Sequence, residues 1–331
     1  MKDGEETMGK QQWSVGVDLG GTSIKMAFID EAGAMIDKWE IPTNLTDNGR
    51  HITSDIARSI EEKLAQKNQT KDQLIGVGMG APGFINFEDG SIFEAVNIGW
   101  KNYPLQEEME KAIGLPVVVD NDANLAALGE MWKGAGAGAQ DLLCITLGTG
   151  VGAGVIANGT IVHGIGGMAG EIGHITSIPE GGYLCNCGRT GCLETITSAT
   201  GIKRLALEQV EQHTDSELYE LYKSKKNLTT KDVLDAARNQ DAFARGLVDH
   251  VCYHLGLALS NVAILLNPQK IVIGGGVSLA GDTLLKPLEQ HIKKFTLPGI
   301  FKNLEIVKAT LGNDAGVIGC AWLINKKLNR L

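Results

Sequence analysis

The chain has no surplus of positive charge to offer a polyanion. Its 30 basic residues are outnumbered by 39 acidic ones, giving a net charge of −9 and a pI near 5.3. No basic patch stands out, which argues against nucleic acid as a partner. Also missing is any apolar stretch approaching the ~18 residues that cross a membrane, and the N-terminus has no apolar signal region. No membrane association is therefore expected. Cysteine is sparse, with 6 in 331 residues. Half of them crowd into 185–192, in a metal-binding rather than a disulfide pattern, which with the missing signal points to a cytoplasmic location.

Glycine, by contrast, is abundant: 43 of 331 residues, about 13% against the usual ~7%. The glycines cluster between apolar runs, as loops that hold a ligand would require. The hydrophobic content of 43% is ordinary for a globular protein with a proper core. The length is enough for two domains.

The most informative stretch runs from Gly170-Glu171-Ile172-Gly173-His174 to Cys185-Asn186-Cys187-Gly188-Arg189-Thr190-Gly191-Cys192-Leu193-Glu194. His174, Cys185, Cys187 and Cys192 form the ligand set of a closed tetrahedral zinc site. Such a set leaves no open position for water, so the zinc is read as structural. Gly188 and Gly191 permit the positive φ of a tight turn. The competing reading is three unrelated, redox-active cysteines. Cys144, Cys252 and Cys320 stand singly in apolar runs and read as inert core residues. Glu171 and Glu194 are not needed by the metal. They suit a polyhydroxyl ligand, or else they support the loop or face solvent.

Along the chain, residues 1–12 read as a disordered extension. Strands are expected at Trp13–Leu19, Ile24–Asp30 and Met35–Ile41, then a helix at Ile52–Lys67 from the spacing of Ile52, Ile56, Ile60 and Leu64. A buried strand at 74–79, a helix at 105–113, a strand at 117–120 and a helix at 122–132 follow. Strands at 142–147 and 151–157 lead through Asn158-Gly159 into 160–163. Helices are expected at 200–212, 230–239 and 243–266, strands at 270–273 and 304–307, and a closing helix at 315–328. The strand–Gly-Gly-Thr–strand unit at 15–29 is echoed by strand–Gly-Thr-Gly–strand at 142–157, which implies two related halves. Dinucleotide-binding turns run from strand into helix. These run from strand into strand, which excludes that reading.

Asp18-Leu19-Gly20-Gly21-Thr22 can present backbone N–H groups and a hydroxyl to phosphate oxygens. Asp18 at the strand end is placed to hold a hydrated Mg²⁺. Alone this is equally a simple hairpin turn. With Gly148-Thr149-Gly150 and the cluster Gly274-Gly275-Gly276 it becomes a nucleotide cradle. Asn121-Asp122 stands where a strand passes into a helix. Local sequence favours a helix cap there, with a carboxylate base for an attacking hydroxyl as the second reading. Asp120, inside the strand, reads as structural.

Together these residues resemble the ROK family (repressors, open reading frames and sugar kinases), closest to its bacterial glucokinases of Gram-positive type. The resemblance runs from about Gly16 to Trp322 and includes Gly80-Ala81-Pro82-Gly83 and Asp120-Asn121-Asp122-Ala123-Asn124. It implies an α/β, two-domain hexokinase/actin-like (ribonuclease H-like) fold with a structural zinc loop. The small domain would take 13–123 plus 314–331, and the large one 124–313. The implied reaction is ATP-dependent phosphorylation of glucose to glucose 6-phosphate. N-acetylmannosamine, N-acetylglucosamine, fructose and mannose are alternative acceptors, and a non-catalytic sugar sensor is the alternative class. By resemblance Asp122 is the catalytic base, and Gly83, Asn121, Glu171, His174 and Glu194 contact sugar hydroxyls. Gly20, Gly21, Thr22, Gly148 and Thr149 face ATP phosphates, with Gly275 and Gly276 against the adenosine. Mg²⁺ and structural Zn²⁺ are the implied metals, and a homodimer or higher homo-oligomer is the family expectation. Family repressors carry a DNA-binding domain ahead of the first phosphate loop. Only 17 residues precede Asp18 here, so DNA binding is not expected.

Overall fold

The computed structural model describes residues 12–95 and 97–330. The disordered extension expected at 1–12 lies outside the described residues, apart from Gln12. The chain divides into two compact units. The first runs to Trp132, adds Ile165–Gly167 and is completed from Asp314 onward; the second takes Lys133–Gly164 and Met168–Asn313.

The first unit begins with β1 (Trp13–Leu19), β2 (Ser23–Asp30), β3 (Met35–Pro42), α1 (Ile52–Gln66) and β4 (Leu74–Ala81). It continues through β5 (Phe84–Asn86), β6 (Ser91–Ala95), β7 (Trp100–Tyr103), α2 (Leu105–Ile113), β8 (Val117–Asn121) and α3 (Asp122–Lys133). The second unit holds β9 (Leu142–Leu147), β10 (Val151–Ala157), β11 (Thr160–Ile161), α4 (Glu194–Thr197), α5 (Ala199–Gln209), α6 (Glu217–Lys225) and α7 (Thr230–Arg238). There follow α8 (Ala242–Leu266), β12 (Lys270–Gly274), α9 (Asp282–Phe295), α10 (Pro298–Phe301) and β13 (Glu305–Lys308), before α11 (Ala315–Lys327) rejoins the first unit.

Each unit is built on a five-stranded mixed sheet, ordered β3-β2-β1-β4-β8 in the first and β11-β10-β9-β12-β13 in the second. The pairings match one for one. An antiparallel hairpin, β1/β2 or β9/β10, is flanked by two strands parallel to its first member. The echo at 15–29 and 142–157 is therefore a repeated topology. β4 is buried along its whole length, as a strand covered on both faces must be, whereas edge strand β3 alternates half-buried and exposed residues.

In β1, Val15, Val17 and Leu19 point into a core shared with Ile52, Ile56 and Ile60 of α1 and Met109 and Ile113 of α2. The intervening residues face α11, where Ser14 accepts from Asn325 and Gly16 lets the two backbones meet. A Cβ on Gly16 would stand 2.1 Å from the Val317 carbonyl oxygen, and one on Gly78 would stand 1.9 Å from that of Cys320. α3 meets α11 in the same way: a Cβ on Gly129 would stand 2.1 Å from the Ala315 oxygen, and one on Gly319 would stand 1.8 Å from the Leu125 oxygen. This contact keeps α3 with the first unit, which runs to Trp132.

Several elements depart from the sequence expectation. The three-stranded sheet β5-β6-β7 was not foreseen, and neither were α6 and α9. The strand expected at 160–163 is only the two residues of β11. The absence of a membrane-length apolar stretch also needs correction, because α8, at 25 residues, is long and apolar enough by length and composition. Its Val251, Cys252, Leu255 and Leu259 are buried in the core of the second unit, which accounts for its apolar character.

Adding a methyl group at two glycines separates close backbone contact from helix propensity. Gly78→Ala should lose about 3 kcal/mol or more, read as a Tm lower by roughly 6–12 °C. Gly246→Ala, exposed in α8 with open space around it, should gain about 0.5–1 kcal/mol. Equal melting temperatures for Gly78→Ala and the parent chain would contradict the packing described here.

Candidate active site

Asp18 ends β1 beside the turn Gly20–Thr22. The turn is closed by Gly20 N–H donating to the Ser23 carbonyl (3.0 Å) and pinned by Thr43 Oγ1 donating to the Gly20 carbonyl (2.7 Å). Thr22 is exposed, so its hydroxyl is available to a ligand. A Cβ on Gly316 of α11 would lie 3.5 Å from the Asp18 carboxylate. That is ordinary van der Waals distance, so the start of α11 packs directly against this carboxylate. Burial raises the pKa of Asp18; Lys25, its partner in register on β2, opposes the shift, and the charge of Asp122 adds to it.

At the β8–α3 junction three consecutive polar residues have different jobs. Asp120 is buried, and its Oδ1 accepts from Asn124 Nδ2 (2.9 Å) and from the Asn121 N–H (2.7 Å). Asn121 Oδ1 accepts the Ala123 N–H at 2.9 Å, so the cap of α3 falls to Asn121. Asp122 is the first helical residue, and its Oδ1 shares that N–H at 2.9 Å. The carboxylate keeps contact with solvent. Enough protein surrounds it that loss of hydration pushes its pKa above the usual range, against the lowering effect of the backbone N–H of Ala123.

Gly83 has φ +97°, and a Cβ there would come within 2.2 Å of the Glu94 carbonyl oxygen. Its turn and its packing against β6 are sufficient reason for glycine.

In the second unit, the turn Gly148–Gly150 joins β9 to β10, closed by Gly148 N–H to the Gly150 carbonyl at 3.0 Å. Thr149 is exposed at its tip. Gly275, with φ +79°, would place a Cβ 2.4 Å from the Leu147 carbonyl oxygen, whereas Gly276 faces open space. That space is a pocket of about 520 Å³ lined by Gly148, Thr149, Thr230, Leu234, Gly276 and Val277, among others. Its α7 side (Thr230, Lys231, Leu234, Asp235) was missed by sequence reasoning. An amphipathic helix carries no sign of which residues border a cavity.

His174 and the three loop cysteines come together: one ligand atom from each lies within 4.8 Å of every other. Cys187 Sγ is 3.6 Å from Cys192 Sγ, and Cys185 Sγ is 3.6 Å from His174 Nδ1. The edge of a tetrahedron with ~2.3 Å metal–sulfur bonds is about 3.8 Å, so the spacing fits one zinc ion. The turn is held by Cys185 N–H to the Arg189 carbonyl (2.8 Å) and Gly188 N–H to the Cys185 carbonyl (2.9 Å). Both expected glycines have positive φ, +85° at Gly188 and +75° at Gly191. Burial and then the neighbouring thiols push Cys192 up to about 12. Burial likewise raises Cys185, while the Arg189 N–H lowers Cys187. A cation bound among these side chains would favour the thiolate forms that burial disfavours at Cys185 and Cys192.

Glu171 and His174 lie on a short turn against β10, where Gly170 and Gly173 allow close approach to the carbonyls of Ala153 and Val151. His174 directs Nδ1 at the cysteines and Nε2 towards Glu171, with Oε2 at 3.8 Å. Glu194 opens α4, and its Oε2 accepts the Val151 N–H at 2.9 Å. Trp100 is buried and stacked on Tyr103 at 4.3 Å. Cys144, Cys252 and Cys320 are buried. His254 Nδ1 is 2.7 Å from Ser177 Oγ, and His291 pairs with Asp249 at 2.8 Å.

The ROK family model matches residues 14–327 of the chain. A glucokinase of Halalkalibacterium halodurans is 58% identical over 320 residues, 97% of each chain. Among solved structures, a ROK family glucokinase from Streptomyces griseus, in complex with glucose and AMPPNP, is 33% identical with a TM-score of 0.75, covering 95% of this chain and 99% of that one. A ROK family transcriptional regulator, a homologue of the E. coli MLC protein, has a TM-score of 0.86 at 28% identity, covering 97% of this chain and 79% of that one. The backbone alone is thus shared by kinases and regulators.

The raised pKa of Asp122 has a sign that thermal melts can read. A carboxyl whose folded pKa exceeds its unfolded value favours the fold below the unfolded pKa, and that favour is lost as pH rises through the folded one. Asp122→Asn, neutral throughout, should match or exceed the parent Tm at pH 7, with the gap closing towards pH 4. A variant markedly less stable at pH 7 would show that the carboxylate is held by favourable contacts instead.

Proposed function

The chain belongs to the ROK family, and on that premise we propose that it transfers the γ-phosphoryl group of ATP to the 6-hydroxyl of glucose, giving glucose 6-phosphate. The observation that carries this reading is the 58% identity, across 97% of both chains, to a glucokinase. The neighbour solved with glucose and AMPPNP supports it. The higher TM-score of the regulator does not compete, because its sequence identity is half as great.

Asp122 is the base. Its carboxylate takes the proton of the 6-hydroxyl as the oxygen attacks the γ-phosphorus, and a pKa raised by burial brings its proton affinity closer to neutral pH. Asn121, Glu171, His174 and Glu194 bind the remaining hydroxyls, with Gly83 contributing backbone only. Glutamates accept, and His174 donates through Nε2, the nitrogen turned away from the cysteines. Backbone N–H groups of Gly20, Gly21, Gly148 and Thr149 and the Thr22 hydroxyl receive the phosphates. The pocket beside Gly275 and Gly276 takes the adenosine. This division of labour is positioning and electrostatics, as phosphoryl transfer requires.

Two metals fit the residues present. The charge of Asp122 adds to the cost of ionising Asp18, and Asp18 would hold a hydrated Mg²⁺, whose charge offsets that of the phosphates. His174, Cys185, Cys187 and Cys192 would hold a Zn²⁺ that shapes the loop bearing Glu171 and Glu194.

ADP release across a panel of sugars, with Asp122→Asn alongside, tests the assignment. Glucose should give strong turnover, and the variant should lose roughly 10²–10⁴-fold in kcat while binding glucose normally. The acid limb of kcat/KM should lie above the ~3.9 of an ordinary aspartate. Near-normal kcat in Asp122→Asn refutes the base. Turnover confined to fructose or an N-acetylated sugar keeps the mechanism and moves the substrate. Sugar binding without turnover points to a sensor. Removal of zinc, verified by metal analysis, should raise the glucose KM before it lowers kcat; an unchanged KM counts against the loop's role.

A further inference from the structure

Glu194, assigned above to the sugar, is also tied to the turn assigned to phosphate. Its Oε2 accepts the N–H of Val151, the first residue after Gly148–Gly150, at 2.9 Å. The fit is close: a Cβ on Gly150 would stand 2.5 Å from that oxygen. Residues just beyond Glu194 hold the same turn. Ala199 N–H donates to the Gly148 carbonyl at 2.8 Å, and Thr200 Oγ1 donates to the Thr149 carbonyl at 3.0 Å. One short segment, 194–200, therefore touches every residue of the turn; it opens with a carboxylate whose Oε1 lies 3.8 Å from Cys185 Sγ and which keeps further lone pairs for a ligand.

We propose that Glu194 is a positioning residue through which sugar and nucleotide strengthen each other's binding. This rests on the sugar-kinase reading above. A sugar hydroxyl on Glu194 fixes its side chain, and the fixed carboxylate holds the Val151 N–H and with it the turn. A nucleotide that orders the turn likewise presents Glu194 in the orientation the sugar needs. The ordering cost is incurred once for two ligands, which is positive cooperativity without a large movement. Linkage makes the effect equal in both directions.

Calorimetric titration of glucose, with and without saturating AMPPNP, tests this. In the parent chain the nucleotide should tighten glucose about 5-fold or more, the lower end of usual coupling. Gly150→Ala is the decisive variant. Its φ is not in the left-handed region, so alanine is tolerated by the backbone and acts only by displacing Glu194. It should weaken glucose roughly tenfold with no nucleotide present, the equivalent of one charged hydrogen bond, and remove the coupling. Thr200→Val, at an exposed position, should reduce the coupling and leave glucose affinity without nucleotide within about twofold. It decides the matter if circular dichroism shows Gly150→Ala unfolded. Unchanged glucose affinity in a folded Gly150→Ala overturns the proposal, as does coupling equal to the parent's in Thr200→Val. So does a parent chain that binds glucose with no dependence on nucleotide. No glucose binding by the parent chain is a separate result: it removes the sugar-kinase reading, and this proposal with it.

Discussion

A backbone contact that admits no side chains organises the first unit. α11 lies on β1, β4 and α3 through Gly16, Gly78, Gly129 and Gly319, and at each of these even a methyl group would collide with a carbonyl. Interiors of this density leave few alternative arrangements. The consequence reaches the chemistry, because Asp18 ends β1 and touches Gly316, while Asp122 begins α3, which α11 also holds. Two carboxylates are thereby fixed near enough for the charge of Asp122 to oppose the ionisation of Asp18. They are held by helix packing rather than by hydrogen bonds between them.

The second unit repeats the sheet order but spends its loops differently. Where the first unit turns from β1 into β2 and stops at Thr22, the second supports its equivalent turn from below with segment 194–200. That segment begins two residues after Cys192, so the loop that gathers His174 and three cysteines also delivers Glu194 to the turn. A rigid loop is useful here because it fixes side chains whose partners are small and flexible.

Much of this was legible in the sequence. Apolar runs bounded by glycine gave β1, β2, β9 and β10 nearly to the residue, because strands buried on both faces leave little ambiguity about their ends. The cysteine spacing announced the gathering of His174 with Cys185, Cys187 and Cys192. What was hidden has physical reasons. β5, β6 and β7 are three to five residues long, too short for any periodicity. α9 carries Pro287 inside it, which obscures a helical pattern. Local sequence could not tell whether Asn121 or Asp122 caps α3, since both types serve equally well; the coordinates give the cap to Asn121. The bond between Glu194 and Val151 spans 43 residues, and no local pattern records it. The role of Asp122 came from family resemblance, not from its spacing.

The placement of α11 also sets an order of events during synthesis. Strands β1, β4 and β8 leave the ribosome early, yet the helix that covers their glycine-bearing face is translated after the whole of the second unit. Until then that sheet has one face uncovered, while the second unit, contiguous apart from Ile165–Gly167, can close without it. The nascent chain thus completes its later half first. Through that interval the earlier half presents an uncovered β-sheet face, and the slower the elongation the longer that face stays open to wrong partners.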